Sequence, residues 1–120
     1  MITAKGMTDL TVKELLDSGI FRVINDGRNH ETVISKPFAC DLLSIAMSKA
    51  GKDSAWFTVM GNVNTIAVCA LADCACIVLC EGTQLDETAS QKAAEQDITV
   101  LSADDMPIFD AALRLYEAMK

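Results

Sequence analysis

Histidine is nearly absent from this chain, which carries a single copy, His30, in 120 residues. The surrounding segment 25–31 is polar and contains an Asp-Gly pair, which favours a turn in an exposed loop. A hydrolytic triad or a histidine-based metal site needs more than one isolated surface histidine. We therefore expect His30 to be an ordinary surface residue.

Catalytic signature motifs are lacking as well. The sequence contains no G-x-x-x-x-G-K-[ST] phosphate loop, no G-x-G-x-x-G fingerprint, no G-x-S-x-G elbow and no H-E-x-x-H motif. The segment Gly51-Lys52-Asp53-Ser54 lacks the upstream glycine that a phosphate loop requires. The carboxylates are spread among turns and helix starts, and no pair stands out as an acid–base couple. These absences predict a protein that is not an enzyme.

Long apolar runs and an excess of positive charge are also missing. No run approaches the ~20 residues that span a bilayer, and the amino end MITAKGMTDL lacks the apolar core of a signal peptide. The net charge of −7 disfavours nucleic acid and anionic membranes as partners. We therefore expect a cytoplasmic protein that binds neither nucleic acid nor membrane.

Apolar residues, by contrast, are plentiful. They make up 51% of a chain whose length suits one domain with a real core. The mean hydropathy of +0.27 is high for a small monomer, so part of the apolar surface is expected to be covered by a partner. A second copy of the chain is the partner we expect, which makes the protein a homodimer.

Apolar periodicity predicts alternating strands and helices. Thr11 and Glu14 have the spacing of a capping box and Gly19 follows as a stop, which indicates a short first helix. Further helices are expected to begin near residues 41, 61, 86 and 102, and strands are expected at 21–24, 32–35, 55–60, 74–80 and 98–101. Strand–helix alternation in the back half favours a parallel sheet with helices on both faces. The predicted fold class is α/β, a three-layer sandwich with a mostly parallel sheet.

Helical spacing also predicts which side chains face the core. In the helix after residue 86, Asp86 is expected to cap the start, and the small residues Ala89 and Ala93 are expected to face the sheet. Ser102, Asp104 or Asp105 is expected to cap the last helix. The other core stripes predicted are Leu43, Ala46, Met47 and Ala50; Val63, Ile66, Ala67, Ala70 and Leu71; and Phe109, Ala112, Leu113, Tyr116 and Met119.

The turn Gly61-Asn62-Val63-Asn64 is the best candidate site. Free N–H groups at a helix start bind anions, and Gly61 permits close approach by a phosphate or carboxylate. Asn62 and Asn64 offer hydrogen bonds to a sugar or a base. A plain structural role is also open, in which Asn62 caps the helix and Gly61 makes the turn.

Five cysteines form the other conspicuous feature. Reduced thiols acting as small hydrophobic residues are the simplest interpretation. A redox or metal role would use Cys69, Cys74 and Cys76, but C-x4-C-x-C-x3-C matches no common ligand spacing. In one extended strand, Cys74, Cys76 and Cys80 would point to one face, with the outer two about 20 Å apart. The full set is Cys40, Cys69, Cys74, Cys76 and Cys80.

Two segments resemble the DRTGG domain, namely LLSIAMSKAGKDSAWFTVMGNVNTIAVCALADCACIVLCEG and ITVLSADDMPIFDAALRLY. The likeness is carried by a strand ending at Met60-Gly61 before Asn62, by the apolar strand ending near Gly82, and by Val100-Leu101-Ser102. It extends from about Thr11 to Tyr116, so residues 1–10 are interpreted as an extension and 11–120 as one DRTGG-like domain. The Asp-Arg-Thr-Gly-Gly signature itself is absent, and Thr99 stands where relatives often have proline.

This resemblance implies a fold similar to the N-terminal domain of HPr kinase and a non-catalytic, regulatory or ligand-sensing role. Related domains occur beside CBS domains in some inorganic pyrophosphatases and tend to self-associate. The expected ligand is a small anionic metabolite or a nucleotide, held by Gly61, Asn62, Asn64 and Ser102, with no cofactor and with an unknown protein as the regulated partner. Two alternatives stay open, a redox or metal-binding accessory protein that uses the cysteines and a protein-interaction adaptor without a ligand.

Overall fold

Five strands form one sheet between two layers of helices in the computed structural model, which describes residues 9–120. This architecture confirms the predicted α/β three-layer sandwich with its mostly parallel sheet. In chain order the elements are α1 (Val12–Ser18), β1 (Arg22–Asn25), β2 (Pro37–Ala39), α2 (Leu43–Lys49), β3 (Ala55–Thr58), α3 (Val63–Ala72), β4 (Cys76–Leu79), α4 (Glu87–Glu95), β5 (Val100–Ser102) and α5 (Ile108–Ala118).

The sheet has the strand order β1-β5-β4-β3-β2. Strands β2 to β5 are parallel, and only β1 runs antiparallel, at the edge beside β5. From β2 to β5, each strand lies next to the one before it in the chain, so the chain crosses the sheet in one direction. Because such crossovers are right-handed, α2, α3 and α4 all lie on one face. Helices α1 and α5 cover the other face.

The core is divided by the sheet into two clusters. Trp56 and Ile77 pack with the α2–α4 layer, whereas Phe57 and Val78 pack with α1 and α5. Strands β3 and β4 are buried along their whole length, as expected for central parallel strands covered on both faces. Their continuous apolar runs made these two strands predictable.

Capping chemistry confirms two of the predicted helix starts. The Thr11 hydroxyl accepts a hydrogen bond from the Glu14 N–H at 3.1 Å, and the Thr11 N–H donates to Glu14 Oε1 at 2.9 Å, which completes the capping box of α1. Gly19 ends α1 in the left-handed conformation. Asp86 caps α4 by accepting from the Ala89 N–H at 2.8 Å, and Ala89 and Ala93 are fully buried as predicted.

The predicted cap of α5 is wrong. The helix begins at Ile108 after Pro107, and no side chain caps it. Segment 103–106 instead turns back onto the end of β4, where the Gly82 N–H donates to the Asp104 carbonyl at 2.7 Å. Ser102 therefore lies outside the helix, and its hydroxyl accepts from the Asp104 N–H at 3.0 Å.

The second strand lies further along the chain than predicted. Segment 32–35 makes only an isolated bridge, between Val33 and Thr11. The strand is Pro37–Ala39. Pro37 is tolerated because β2 is an edge strand and the proline is its first residue.

Several predicted core stripes are misplaced. Helix α3 buries Thr65, Ile66, Val68 and Cys69, and leaves Leu71 73% exposed. Helix α5 buries Ala111 and Leu115, with Phe109 69% and Leu113 41% exposed, and in α2 the side chain of Met47 is exposed. These helices carry apolar residues around most of their circumference, so periodicity alone does not select one face.

Candidate functional site

A cavity of about 300 Å³ opens where the parallel strands β4 and β5 end. Because β1 is antiparallel, its first residue, Arg22, lies at this same edge and pairs directly with Ser102, the last residue of β5. Carboxyl ends of parallel strands are the usual position of ligand sites in open α/β sheets. The lining residues are Arg22, Ile24, Leu79, Thr83, Gln84, Leu85, Ser90 and Ser102.

The cavity combines an apolar floor with hydrogen-bonding groups. Ile24, Leu79 and Leu85 supply the apolar surface. The side chains of Gln84 and Ser90 make no hydrogen bond within residues 9–120, so their donors are available to a ligand. Such a mixture of apolar walls with a few convergent polar groups is typical of small-molecule sites.

Within residues 9–120, Arg22 is the one cationic residue that lines the cavity. Its Nε and Nη2 atoms both donate to Asp104 Oδ1, at 3.2 and 2.9 Å, so one carboxylate oxygen takes both hydrogen bonds. The pair is well exposed, with 59% of the Arg22 side chain and 63% of the Asp104 side chain accessible, and exposed pairs of this kind contribute only ~0–1 kcal/mol. An incoming anion can therefore compete for the guanidinium at low cost.

The loop that forms one wall of the cavity is held against the Gly61 turn. The Asp86 N–H donates to the Gly61 carbonyl at 3.0 Å, and the Thr83 hydroxyl donates to the Val59 carbonyl at 3.1 Å. A Cβ atom added at Gly61 would overlap the carbonyl oxygen of Gln84. Gly61 therefore has a close backbone contact on the side where segment 83–86 passes.

The residues predicted to bind a ligand are divided by this wall. Ser102 lines the cavity, whereas Gly61 lies behind the Gln84 wall and Asn62 and Asn64 are exposed outside it. The Asn62 side chain accepts hydrogen bonds from the N–H groups of Asn64 at 3.0 Å and Thr65 at 3.3 Å, which is the capping role considered for it. Whether this turn also binds a ligand stays a prediction.

Among the lining residues, the sequence reasoning identified Ser102 and missed the others, which include the polar residues Arg22, Gln84 and Ser90. Arg22 is 80 positions before Ser102 in the chain, and only the antiparallel pairing of β1 with β5 brings the two together. No local pattern marks that pairing. For Gln84 and Ser90 a signal did exist, because they flank the predicted cap Asp86 just after a buried strand, where α/β ligand loops occur.

His30 has a partner, contrary to the expectation of an isolated surface histidine. Its Nε2 atom lies 2.9 Å from each carboxylate oxygen of Asp26. A hydrogen bond from the Arg28 N–H, and after it the contact with His30, holds the pKa of Asp26 below its usual value. None of these three residues lines the cavity, so they add no chemistry to it.

The cysteines do not share one face. Cys76 and Cys80 pack with α1 and α5, whereas Cys74 precedes β4 and packs with Cys69 in the α2–α4 layer. Cys74 leaves the shared face because β4 begins only at Cys76, so the alternation of side chains does not extend back to residue 74. Burial raises the pKa of Cys76 and of Cys80 to about 12, which keeps both thiols protonated. Residues 9–120 contain no group of three or more histidine, cysteine or acidic side chains placed to hold a metal ion.

No protein-family model matches the chain, and no curated protein matches it. Among solved structures, it is similar to the CBS and DRTGG domains of the regulatory region of Clostridium perfringens pyrophosphatase, solved in complex with its activator, diadenosine tetraphosphate. The TM-score is 0.72 at 14% identity, and the match covers 98% of this chain and 50% of that one. The fold is DRTGG-like. At this identity the likeness establishes the fold alone.

The remaining predictions from the sequence are not confirmed by this similarity. The specific likeness to the N-terminal domain of HPr kinase is not supported by this similarity, and the domain boundary at residue 11, the homodimer and the cytoplasmic location stay predictions. Most of the proposed extension, residues 1–8, lies outside the described residues. Among residues 9–120, no helix has the length and apolar content needed to cross a membrane.

Proposed function

We propose that this DRTGG-like domain is a non-catalytic regulatory module that senses a nucleotide or a similar phosphorylated metabolite. The observation that carries the proposal is the cavity at the ends of β4 and β5, where Arg22, Gln84 and Ser90 converge over an apolar floor. Support from outside the chain is that a structure of the same fold is a regulatory region with a nucleotide activator. The regulated partner is a separate protein or a neighbouring domain.

The chemistry of the cavity suits the parts of a nucleotide. Ile24 and Leu85 present apolar surface to a base, while Gln84 and Ser90 present donors to sugar hydroxyls or ring nitrogens. The Arg22 guanidinium is the group for a phosphate, because its planar fork matches phosphate oxygens. A volume of about 300 Å³ is at the small end of ligand pockets, which favours a mononucleotide-sized occupant.

Asp104 sets the conditions for binding. Its carboxylate forms an ion pair with Arg22, so a ligand phosphate has to replace it. The chain carries a net charge of −7, which opposes any anion at long range. Binding is therefore expected to be selective for ligands that also fill the apolar part of the cavity, and free phosphate alone is expected to bind weakly.

The Gly61–Asn64 turn belongs to the proposal as a supporting element. Gly61 lets the backbone of Gln84 approach, and Gln84 forms the wall of the cavity. We further propose that Asn62 and Asn64 extend the site for longer ligands that pass beyond the wall. Ser102 contributes at the cavity itself, next to Arg22.

Replacing Arg22 by glutamine is expected to weaken nucleotide binding by roughly 10- to 100-fold, since a hydrogen bond to a charged group contributes ~1.5–3 kcal/mol. The measurement is titration calorimetry with a panel of adenine and guanine nucleotides, after a thermal-shift screen has found a stabilising compound. Arg28→Gln is the matched control, because it removes the same charge from an exposed residue that does not line the cavity. The Arg28 variant is expected to bind as the unmodified chain does.

Three results would count against this assignment. Equal losses in both arginine variants would show that only the overall charge matters. Full binding in Arg22→Gln together with a loss in Asn62→Ala would move the site to the Gly61–Asn64 turn. A panel without any stabilising compound favours the adaptor that binds no ligand.

We also propose that two copies of the domain associate through α5. Phe109 and Leu113 form an exposed apolar pair one turn apart, and Asp110 and Arg114 lie beside them. Two α5 helices can pack antiparallel about a two-fold axis that is level with Ala112 along the helix. This arrangement would place Arg114 of one copy near Asp110 of the other. A patch whose charges are complementary to themselves in this way suits an isologous dimer.

The dimer proposal predicts twice the monomer mass in light scattering at micromolar concentration. Phe109→Ser is expected to shift the mass to that of the monomer, because it removes the largest exposed apolar side chain of the patch. Leu71→Ser removes a comparably exposed side chain from α3, on the other helix layer, and is expected to leave the dimer intact. A monomeric unmodified chain, or equal effects of both variants, would argue against α5 as the interface.

A further inference from the structure

The carboxyl end of α3 brings two cysteines together. Asp73 adopts the left-handed conformation after the last helical residue, Ala72, and its N–H donates to the Ala70 carbonyl at 3.3 Å. The next N–H, that of Cys74, donates to the Cys69 carbonyl at 3.1 Å. This pair of hydrogen bonds is a Schellman motif, which commonly places the two side chains that flank the turn in contact.

The backbone geometry of this motif is compatible with a disulfide. The hydrogen bond between the Cys74 nitrogen and the Cys69 oxygen keeps the two Cα atoms within about 7 Å, since each bonded atom is only one or two covalent bonds from its own Cα. Disulfides join residues whose Cα atoms are ~4.4–6.8 Å apart. The two side chains pack in the same core cluster, and the Ser54 hydroxyl donates to Cys74 Sγ at 3.5 Å.

The two sulfur atoms differ in accessibility. Cys69, on the buried face of α3, is 1% exposed, whereas Cys74 is only partly buried. An accessible sulfur that can be attacked or can attack, backed by a buried sulfur in contact with it, is the arrangement of a reactive and a resolving cysteine. The remaining half-buried cysteine, Cys40, makes hydrogen bonds with the Leu42 backbone.

We propose that Cys69 and Cys74 are a redox-active thiol pair that closes reversibly into a disulfide at the end of α3. This modification site is independent of the nucleotide cavity, because neither cysteine lines it. The oxidant is a low-molecular-weight disulfide of the glutathione class.

Electrostatics assign the two roles. The hydrogen bond from the Cys69 thiol, assisted by the Ser54 hydroxyl and opposed by partial burial and by the nearby Asp73 carboxylate, lowers the pKa of Cys74 to about 7. The same hydrogen bond and burial raise the pKa of Cys69 well above its ordinary value, with Cys76 and Asp73 adding to the effect. Cys74 is therefore the thiolate nucleophile near neutral pH, and Cys69 retains its proton until the second step.

The chemistry balances in two thiol–disulfide exchanges. In the first, the Cys74 thiolate attacks one sulfur of the small disulfide, the S–S bond breaks, and one small thiolate leaves and takes up a proton from water. In the second, Cys69 gives up its proton and attacks Cys74 Sγ in the mixed disulfide, which releases the second small thiol. The protein loses two protons and two electrons, and the small disulfide is reduced to two thiols.

The test is equilibration of the unmodified chain with reduced and oxidised glutathione at neutral pH, followed by acid quench, alkylation and intact mass spectrometry. The expected product is a monomeric chain lighter by two hydrogen atoms, which regains its mass on reduction. Cys69→Ser is expected to stop at a mixed disulfide on Cys74, and Cys74→Ser is expected to form neither product. Cys40→Ser, the matched control, is expected to give the same internal disulfide as the unmodified chain.

Alkylation kinetics provide a second readout that does not depend on disulfide formation. In the reduced chain, the iodoacetamide rate at Cys74 is expected to rise with pH through a midpoint near 7, because the thiolate is the reacting form. A stable mixed disulfide at Cys74 in the unmodified chain, or preferential reaction at Cys40, would overturn the proposal. No reaction at any cysteine under conditions that oxidise a free dithiol would overturn it too.

Discussion

Replacing Gly61 by alanine is expected to destabilise the domain by about 3 kcal/mol, at the upper end of the cost of overpacking a well-packed site. The added Cβ atom would overlap the Gln84 carbonyl oxygen and would lie 3.1 Å from Thr83 Cγ2. Gly61 does not have a positive φ, so alanine fits its backbone and the expected cost is steric. The Gln84 carbonyl belongs to backbone that is held by hydrogen bonds on both sides, which limits how far it can move.

Gly19→Ala is the comparison for this experiment. Gly19 has a φ of +74° but no atom within 4 Å of an added Cβ, so its substitution costs only the left-handed conformation, ~1–2 kcal/mol. Chemical denaturation of both variants should therefore give the larger loss at Gly61. Equal losses would show that the loop at residues 83–85 yields easily, and that Gly61 is not required for the close approach.

The same Gly61→Ala variant links fold stability to the proposed function. If segment 83–85 moves away to make room for the added methyl group, Gln84 and Leu85 leave the positions in which they line the cavity. Nucleotide binding should then weaken even under conditions where the variant is fully folded. Gly19→Ala should bind with unchanged affinity, because Gly19 lies in the turn after α1, outside the cavity lining.

Local sequence signals predicted the parts of this fold that depend on local chemistry. The capping box of α1 and the Asp86 cap of α4 each depend on residues three positions apart, and both are present. The central strands β3 and β4 were recognisable because burial on both faces demands a continuous apolar run. The edge strand β2 was not, because its length of three residues and its proline give no such run.

The prediction of which helix faces are buried was wrong in α3 and α5 for a related physical reason. The sequence of α3, VNTIAVCALA, is apolar nearly all round, so several faces satisfy the same spacing. Which face is buried is decided by contacts with α2 and α4 on either side, and these are long-range in sequence. In α5 the wrongly predicted residues matter for function, because Phe109 and Leu113 form the exposed patch that we propose as the dimer interface.

In the candidate site, too, the sequence predicted what depends on local signals and missed what depends on long-range pairing. Ser102 could be predicted because it follows a predicted strand at the edge where α/β folds bind ligands. Arg22 was not, because its place beside Ser102 depends on the antiparallel pairing of β1 with β5. The Gly61 turn was correctly predicted as a tight turn before a helix. The sequence did not indicate that segment 83–86 of the same chain packs against this turn.

The polar loop at residues 25–31 was expected to be exposed, yet part of it is buried on the start of β5. The Gly27 N–H donates to the Thr99 hydroxyl at 3.0 Å, and that hydroxyl donates to Asn29 Oδ1 at 2.6 Å. Asn29 in turn donates from Nδ2 to the Ala75 carbonyl at 2.9 Å. One buried hydroxyl, that of Thr99, therefore connects the loop to β5 and, through Asn29, to the start of β4.

Replacing Thr99 by valine is expected to cost about 3 kcal/mol of unfolding free energy. Valine has nearly the same shape as threonine but leaves the Gly27 N–H and Asn29 Oδ1 without their partner, and each unsatisfied buried group costs ~1–3 kcal/mol. Thr99 is 1% exposed, so water does not replace the lost hydroxyl without rearrangement. The measurement is urea denaturation, with hydrogen exchange of the Gly27 amide as the local readout.

Thr99→Ser is the matched control, since it keeps the hydroxyl and removes only the methyl group. Its expected cost is about 1 kcal/mol, from the lost burial of one methyl group and the small cavity left behind. The Gly27 amide should stay protected in the serine variant and exchange faster in the valine variant. If serine costs more than valine, packing of the methyl group rather than the hydroxyl holds the loop.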